Sequence, residues 1–231
     1  MCLARPRPEL RVRAAELKAR SKAPAVLDDY LWALGDPEPA VRAVAVARLG
    51  KVPAADLLQQ VLNVLVANHS SEIAALDTAL PEFPPALGTE FLHLFRNHDL
   101  AVPLRRAAAY CLGRMRVAGA AGSLAQGAWE DDASLQLSCA RALYALRDTQ
   151  TVREWSAMRT HADPSVRVLA VYALGELGGR EAFAALAEIA YGGDFDARLA
   201  PIALQAIASW PLSDAVPALI EVMKRNPGRK V

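Results

Sequence analysis

Along most of this chain apolar residues recur at intervals of three and four, the spacing of one face of an α-helix. The helical stretches themselves recur at a longer interval. Four segments align without gaps: Val41–Gly50, Leu104–Gly113, Leu135–Tyr144 and Val166–Gly175. Their second residues, Arg42, Arg105, Gln136 and Arg167, stand 63, 31 and 31 residues apart, so the first interval holds two periods. The unit this requires falls at Ile73–Leu76, where an apolar helical pattern persists over a weakened consensus. An earlier, degenerate copy begins at Val12 and Arg13. A later one runs through Ala203, Ala206 and Ile207, displaced by two residues after Tyr191-Gly192-Gly193-Asp194. The pattern predicts seven units in one continuous domain over residues 1–231, starting near 9, 36, 68, 99, 131, 162 and 194.

Each column of this alignment has a physical meaning. Val41, Leu104, Leu135 and Val166 open a stripe that continues four residues on through Ala45, Ala108, Cys139 and Ala170, and ends at Leu49, Leu112, Leu143 and Leu174. Residues i, i+4 and i+8 share one helix face, and a small middle residue lets a neighbouring helix come close. Gly50, Gly113 and Gly175 follow directly, and the expectation is a left-handed, helix-ending residue at each. Asp36-Pro37-Glu38 and Asp163-Pro164-Ser165 read as caps with an early proline. A second helix follows each first one, as at Ala54–Val66, Glu181–Ala190 and Asp214–Lys224. A helical hairpin of this kind cannot bury its apolar face alone, so stacked neighbours must complete the core.

Composition agrees and adds one point. Of 231 residues 53% are hydrophobic, yet only 4 Trp, 5 Tyr and 5 Phe are present against 47 Ala, which suits closely spaced helices rather than a sheet. The net charge of +1 conceals an uneven distribution. Residues 1–24 carry seven basic and two acidic groups and residues 222–231 carry four basic ones, which leaves fifteen basic against twenty-three acidic groups between them. An acidic body does not suit a nucleic-acid track. No apolar run approaches the roughly 18–20 residues of a membrane helix, and no apolar stretch follows the basic N-terminal residues, so a cytoplasmic protein is expected. Cys2, Cys111 and Cys139 lack metal-type spacing, and the latter two sit inside apolar helical patterns as buried thiols.

The run Asp163-Pro164-Ser165-Val166-Arg167-x-x-Ala170-x-x-Ala173-Leu174-Gly175-x-Leu177-Gly178 resembles a HEAT repeat of the short bacterial, phycobilin-lyase-like type. The resemblance is clearest in the units near 36, 99 and 163, and it extends over nearly the whole chain. It implies an all-α fold, a right-handed solenoid of about seven helical hairpins. Three enzyme classes share such architecture. Deoxyhypusine hydroxylases hold iron through His-Glu pairs, whereas the histidines here read His69-Ser70, His93-Leu94, His98-Asp99 and His161-Ala162, with solvated loop positions the simpler expectation for three of them. Phycobilin lyases use the same repeat, but no lyase-specific motif is present. HEAT-like alkylpurine DNA glycosylases use aromatic and carboxylate side chains in a basic cleft. Trp129 before Glu130, Asp131 and Asp132, and Trp155 beside Glu154, echo this in an acidic body, where packing into the hairpin is the commoner role of a tryptophan.

In HEAT-like solenoids the second helices line the concave face, and two positions per unit are expected to point away from the apolar stripe. Read down the stack they are Gln60 and Asn63, Ser123 and Gln126, Glu154 and Ala157, Ala185 and Glu188, then Ala218 and Glu221. The column begins as amides and becomes acidic, which suits a strip for a basic protein segment, with a merely solvated face as the alternative. Arg42, Arg105, Arg167 and Arg198 recur near Asp36, Asp99, Asp163 and Asp194, and a ladder of Arg–Asp hydrogen bonds between repeats is the expectation over a phosphate-binding stripe. The sequence therefore predicts a non-catalytic protein-binding scaffold with no metal and no cofactor, whose partner is another protein or peptide. A phycobilin-lyase-like helper and a DNA-lesion-binding glycosylase stand as alternatives.

Overall fold

The computed structural model describes residues 7–20, 26–67, 70–191, 196, 198–211, 216, 217 and 220. Its contacts divide the chain into two compact units, Met1–Ala120 and Ala121–Val231. The first contains α1 (Pro8–Arg20), α2 (Val26–Ala33), α3 (Pro39–Leu49), α4 (Ala54–Ala67), α5 (Ser70–Ala79), a 3-10 turn at Leu80–Glu82, α6 (Pro85–Arg96) and α7 (Val102–Arg114). The second contains α8 (Ala121–Gly127), α9 (Ala133–Leu146), α10 (Val152–Met158), α11 (Pro164–Leu177), α12 (Gly179–Tyr191) and α13 (Leu199–Ala208). Among the described residues there is no strand. The all-α hairpin fold is as the pattern predicts.

Packing follows the repeat. In the second unit α11 lies against α9 and α13, so first helices form one layer, and α10 meets α12 in the other. In the first unit α1 packs on α3, and α4 on α6 and α7. The stripe is the contact surface: Val41, Ala45 and Leu49 are buried, as are Ala108 and Leu112, Leu135, Cys139 and Leu143, and Val166, Ala170 and Leu174. Leu199, Ala203 and Ile207 continue it in α13 with the two-residue displacement. In the weak third unit Asp77 occupies the small position, and α5 ends two residues later, before the 3-10 segment containing Pro81. Leu76, Ala79 and Leu80 supply the buried face there.

The glycine column does not supply left-handed helix ends. Gly50 caps α3 in a right-handed conformation, with φ −62°, and Gly113 and Gly175 lie within α7 and α11. Positive φ values occur instead three positions later in the repeat, at Arg116 (φ 50°), Arg147 (φ 54°) and Gly178 (φ 71°), besides Gly119 and Gly179. At Arg116 the amide bonds the Gly113 carbonyl while Val117 N–H reaches back to Leu112, a Schellman closure built around an arginine. Gly175 serves close approach instead: a methyl group there would stand 2.9 Å from Cβ of Ala206 on α13. Its carbonyl also accepts a 2.9 Å bond from Nε1 of Trp210. Substituting Gly175→Ala should therefore cost about 1–3 kcal/mol through overpacking. Gly50→Ala, with only the Val46 carbonyl at 3.8 Å, should gain about 0.4–1 kcal/mol by restricting the unfolded chain. Urea unfolding of the two variants checks this, since a shared helix-ending role would destabilise both.

Candidate functional site

The second helices carry the residues singled out for binding. On α4, Gln60 is half-buried and Asn63 exposed, with Asn63 Oδ1 accepting a 3.0 Å bond from Gln59 Nε2. These two belong to the first unit. In the second unit α8 presents Ser123, half-buried, and Gln126, exposed. Glu154 on α10 is half-buried, and its Oε2 is shielded from solvent without a hydrogen-bond partner. Glu188, on the adjoining α12, lies 2.8 Å from Nη1 of Arg159. Arg159 follows the end of α10, so this pairing draws the α12 carboxylate toward the preceding repeat and removes the simple acidic column that spacing alone suggests. Ala157 is exposed as expected, but Ala185 is buried and faces the core. Ala218 and Glu221 lie outside the described residues, as do His69, Asp194 and Lys224 to Lys230.

The repeated arginine has a different target from the expected one. Arg42 donates through Nη1 to the carbonyls of Asp36 and Pro37, both at 2.8 Å. Arg167 does the same to His161 and Ala162, at 2.7 and 2.9 Å. Gln136 donates to the Glu130 carbonyl, which explains why an amide serves at this position. Arg105 is buried, bonds the Phe95 carbonyl at 2.9 Å and lies over the Phe95 ring, 5.3 Å from its centre. The anchor side chain thus closes the turn leading into its own first helix, supplying donors to carbonyls that have no helical partner.

The Arg–Asp ladder exists one repeat out of step. Arg11, 31 residues before Arg42, makes a bidentate contact with Asp36 at 2.9 and 3.0 Å, so Arg11 rather than Arg13 is the anchor of the first copy. Asp36 also accepts from the Glu38 amide, and α3 itself has no side-chain cap. Asp163 does cap α11, accepting from the Ser165 amide at 2.7 Å. Arg167 reaches forward to Asp196 at 2.9 Å, and Arg198 bonds the same carboxylate. Hydrogen bonds from Arg198 and Arg167 hold Asp196 well below the usual carboxylate range.

His161 is 2% exposed, contrary to a solvated loop position. Its Nδ1 accepts from the Asp163 amide at 3.0 Å, which places the proton on Nε2, and Nε2–H donates to the Ala128 carbonyl at 2.8 Å. Its ring supports Trp129, with centres 4.8 Å apart. Of the two tryptophans noted in the sequence, Trp155 is 1% exposed and packs into the hairpin, whereas Trp129 is 51% exposed. His93 and His98 are both exposed.

Two tyrosine–carboxylate bonds connect first helices. Tyr110 donates to Asp77, which also lies 2.6 Å from Arg114 Nε, and Tyr144 donates to Glu176. Burial and then the Glu176 bond push the Tyr144 phenol up to about 12. Tyr144 and Glu176 line a cavity of about 370 Å³ with Arg147, Asp148, Trp155 and Leu177. Burial raises the thiol of Cys111 and leaves it in the protonated, unreactive form. Among the described residues no group of three or more His, Cys, Asp or Glu could hold a metal ion. No described helix is long and apolar enough to cross a membrane.

A family model for the PBS lyase HEAT-like repeat matches residues 166–190, which span α11 and α12. That stretch is similar to a repeat of the short HEAT type. None of the curated proteins matches the sequence. Among solved structures, an engineered protein is similar at 16% identity, covering 83% of this chain and 97% of its own, with a TM-score of 0.42. The complex of CpcE and CpcF of phycocyanin lyase from Nostoc sp. PCC7120 is similar at 19% identity, covering 96% and 91%, with a TM-score of 0.40. YibA of Escherichia coli follows at 14% identity, covering 94% and 82%, with a TM-score of 0.35.

The Asp196 cluster yields a pH prediction. A carboxylate depressed in the folded state contributes stability that is present above its ordinary value near 4 and is lost as the pH falls below it. Urea midpoints measured from pH 6 to pH 2 should therefore drop on acidification in the parent protein. Asp196→Asn should start lower at pH 6 and fall less steeply. Parallel curves would show that the Arg167–Asp196 link contributes nothing.

Proposed function

We propose that this protein is a non-catalytic, cytoplasmic scaffold that binds a basic segment of another protein along its second helices, chiefly α8, α10 and α12. The observation that carries this reading is Glu154. A carboxylate oxygen withdrawn from water without a donor is costly, and an arginine or lysine placed beside the half-buried side chain would offset that cost through its charge. Gln126 and Ser123 on α8 offer further hydrogen-bonding groups on the same row, and Glu188, paired with Arg159, stands next to it. The anchor arginines are occupied with turn carbonyls and aspartates, which argues against a phosphate-binding stripe. The repeat type at residues 166–190 keeps a second reading, a helper that handles a linear tetrapyrrole. Visible absorbance of the pigment, unchanged on mixing with the protein, would exclude it.

Affinity capture from native extract provides the basic partner for the test. Replacing Glu154, Glu188 and Glu221 together with glutamine should weaken binding to it and flatten the dependence of binding on salt. Most of the loss should already appear in Glu154→Gln, because Glu188 is shared with Arg159. An affinity unmoved by the triple substitution would sink this reading.

A further inference from the structure

We propose that Trp129 is the aromatic anchor of a site for a cationic side chain, an arginine or lysine of the partner's basic segment. The inference takes from the preceding reading only the basic character of that partner. A tryptophan in this fold has a place in the core, as Trp155 demonstrates, yet Trp129 keeps half of its surface in water. It is not loosely held. Its amide bonds the Gln126 carbonyl at 2.9 Å, and its ring rests on the buried imidazole of His161. That imidazole is itself fixed from both sides, by the Ala128 carbonyl and the Asp163 amide, so it cannot turn away. A large π-face is therefore presented on an immobile support, and binding to it orders little that was free before.

The surroundings select the occupant. Asp131 is exposed two residues after the indole, beyond half-buried Glu130, and Asp132, also exposed, caps α9 by accepting from the Leu135 amide and Ser134 Oγ. Carboxylates close in sequence to an exposed aromatic ring favour a cation near it and oppose both an anion and a purely apolar group, which would have to strip water from Asp131. Nucleic acid is disfavoured for the same reason. Gln126, one helical turn before Trp129, belongs to the second-helix row described above, so one extended segment could meet both. Exposed, rigid tryptophans of this kind carry a large share of binding energy where they occur in interfaces.

The test is calorimetric titration of the full chain with a ten-residue peptide of alternating arginine and glycine, and with the same peptide carrying citrulline in place of arginine. The parent protein should bind the first and not the second. Trp129→Ala should weaken binding about tenfold. Trp129→Phe, which preserves packing on His161, should retain most of the affinity, and Asp131→Asn should weaken it at low salt. Melting by circular dichroism confirms that each variant is folded. Unaltered affinity in Trp129→Ala and Asp131→Asn, equal binding of the citrulline peptide, or no binding by the parent protein would each overturn the proposal. If Trp129→Ala loses affinity while Glu154→Gln with Glu188→Gln keeps it, the anchor stands and the second-helix strip falls. The reverse pattern removes the anchor and leaves the strip.

Discussion

Everything in this structure depends on how closely one helix can approach the next. A single hairpin exposes the apolar stripe on its first helix and can bury it only against a neighbour. The stripe closes because its middle position is small: Ala45, Ala108, Cys139, Ala170 and Ala203 are all fully buried. At that distance the flanking Val, Leu and Ile side chains leave water as well, each contributing roughly 1.5–3 kcal/mol. Gly175 carries the same demand to its limit, since α13 comes too near for even a methyl group there. The abundance of alanine is thus a geometric requirement of stacking.

Close stacking creates a polar problem at the turns, and the anchor residues solve it. Carbonyls at 36, 37, 130, 161 and 162 would lack partners, and Arg42, Gln136 and Arg167 reach back to them. Arg11 and Arg167 also reach forward to Asp36 and Asp196. Together with Tyr110–Asp77 and Tyr144–Glu176, these contacts link residues 25 to 33 apart, about one repeat, and so specify which neighbour each hairpin meets. Most of the charges that a sequence scan would offer as a binding stripe are spent in this way. What is left for a partner lies elsewhere, on the second helices and at Trp129.

The period, the stripe and the small column were legible from residue types alone, because each is a property of one helix repeated. The targets of polar side chains were not, because they depend on a neighbour one repeat away. Arg42 and Asp36 are near in sequence, yet the Asp36 carboxylate goes to Arg11, and Glu188 is claimed by Arg159 across two helices. His161 lies in a loop yet is buried, because its partner, the Ala128 carbonyl, stands 33 positions earlier. The tryptophans differ in their place relative to two helices of equal length, α8 and α10. Trp155 lies within α10 and faces inward, whereas Trp129 stands just past the end of α8 with half of its surface in water. The glycine column misled because glycine serves both helix ends and close contacts, and only the backbone angles separate the two uses.

The claim that a small residue sets the helix spacing is tested most directly at Ala170, fully buried on α11 between α9 and α13. Urea unfolding of Ala170→Leu, followed by far-ultraviolet circular dichroism, is the decisive measurement. The account predicts a retained helical signal with a midpoint lowered by the equivalent of about 1–3 kcal/mol, as the added side chain forces the layers apart. A midpoint at or above that of the parent protein would mean that the stack has room for a leucine, and would contradict it.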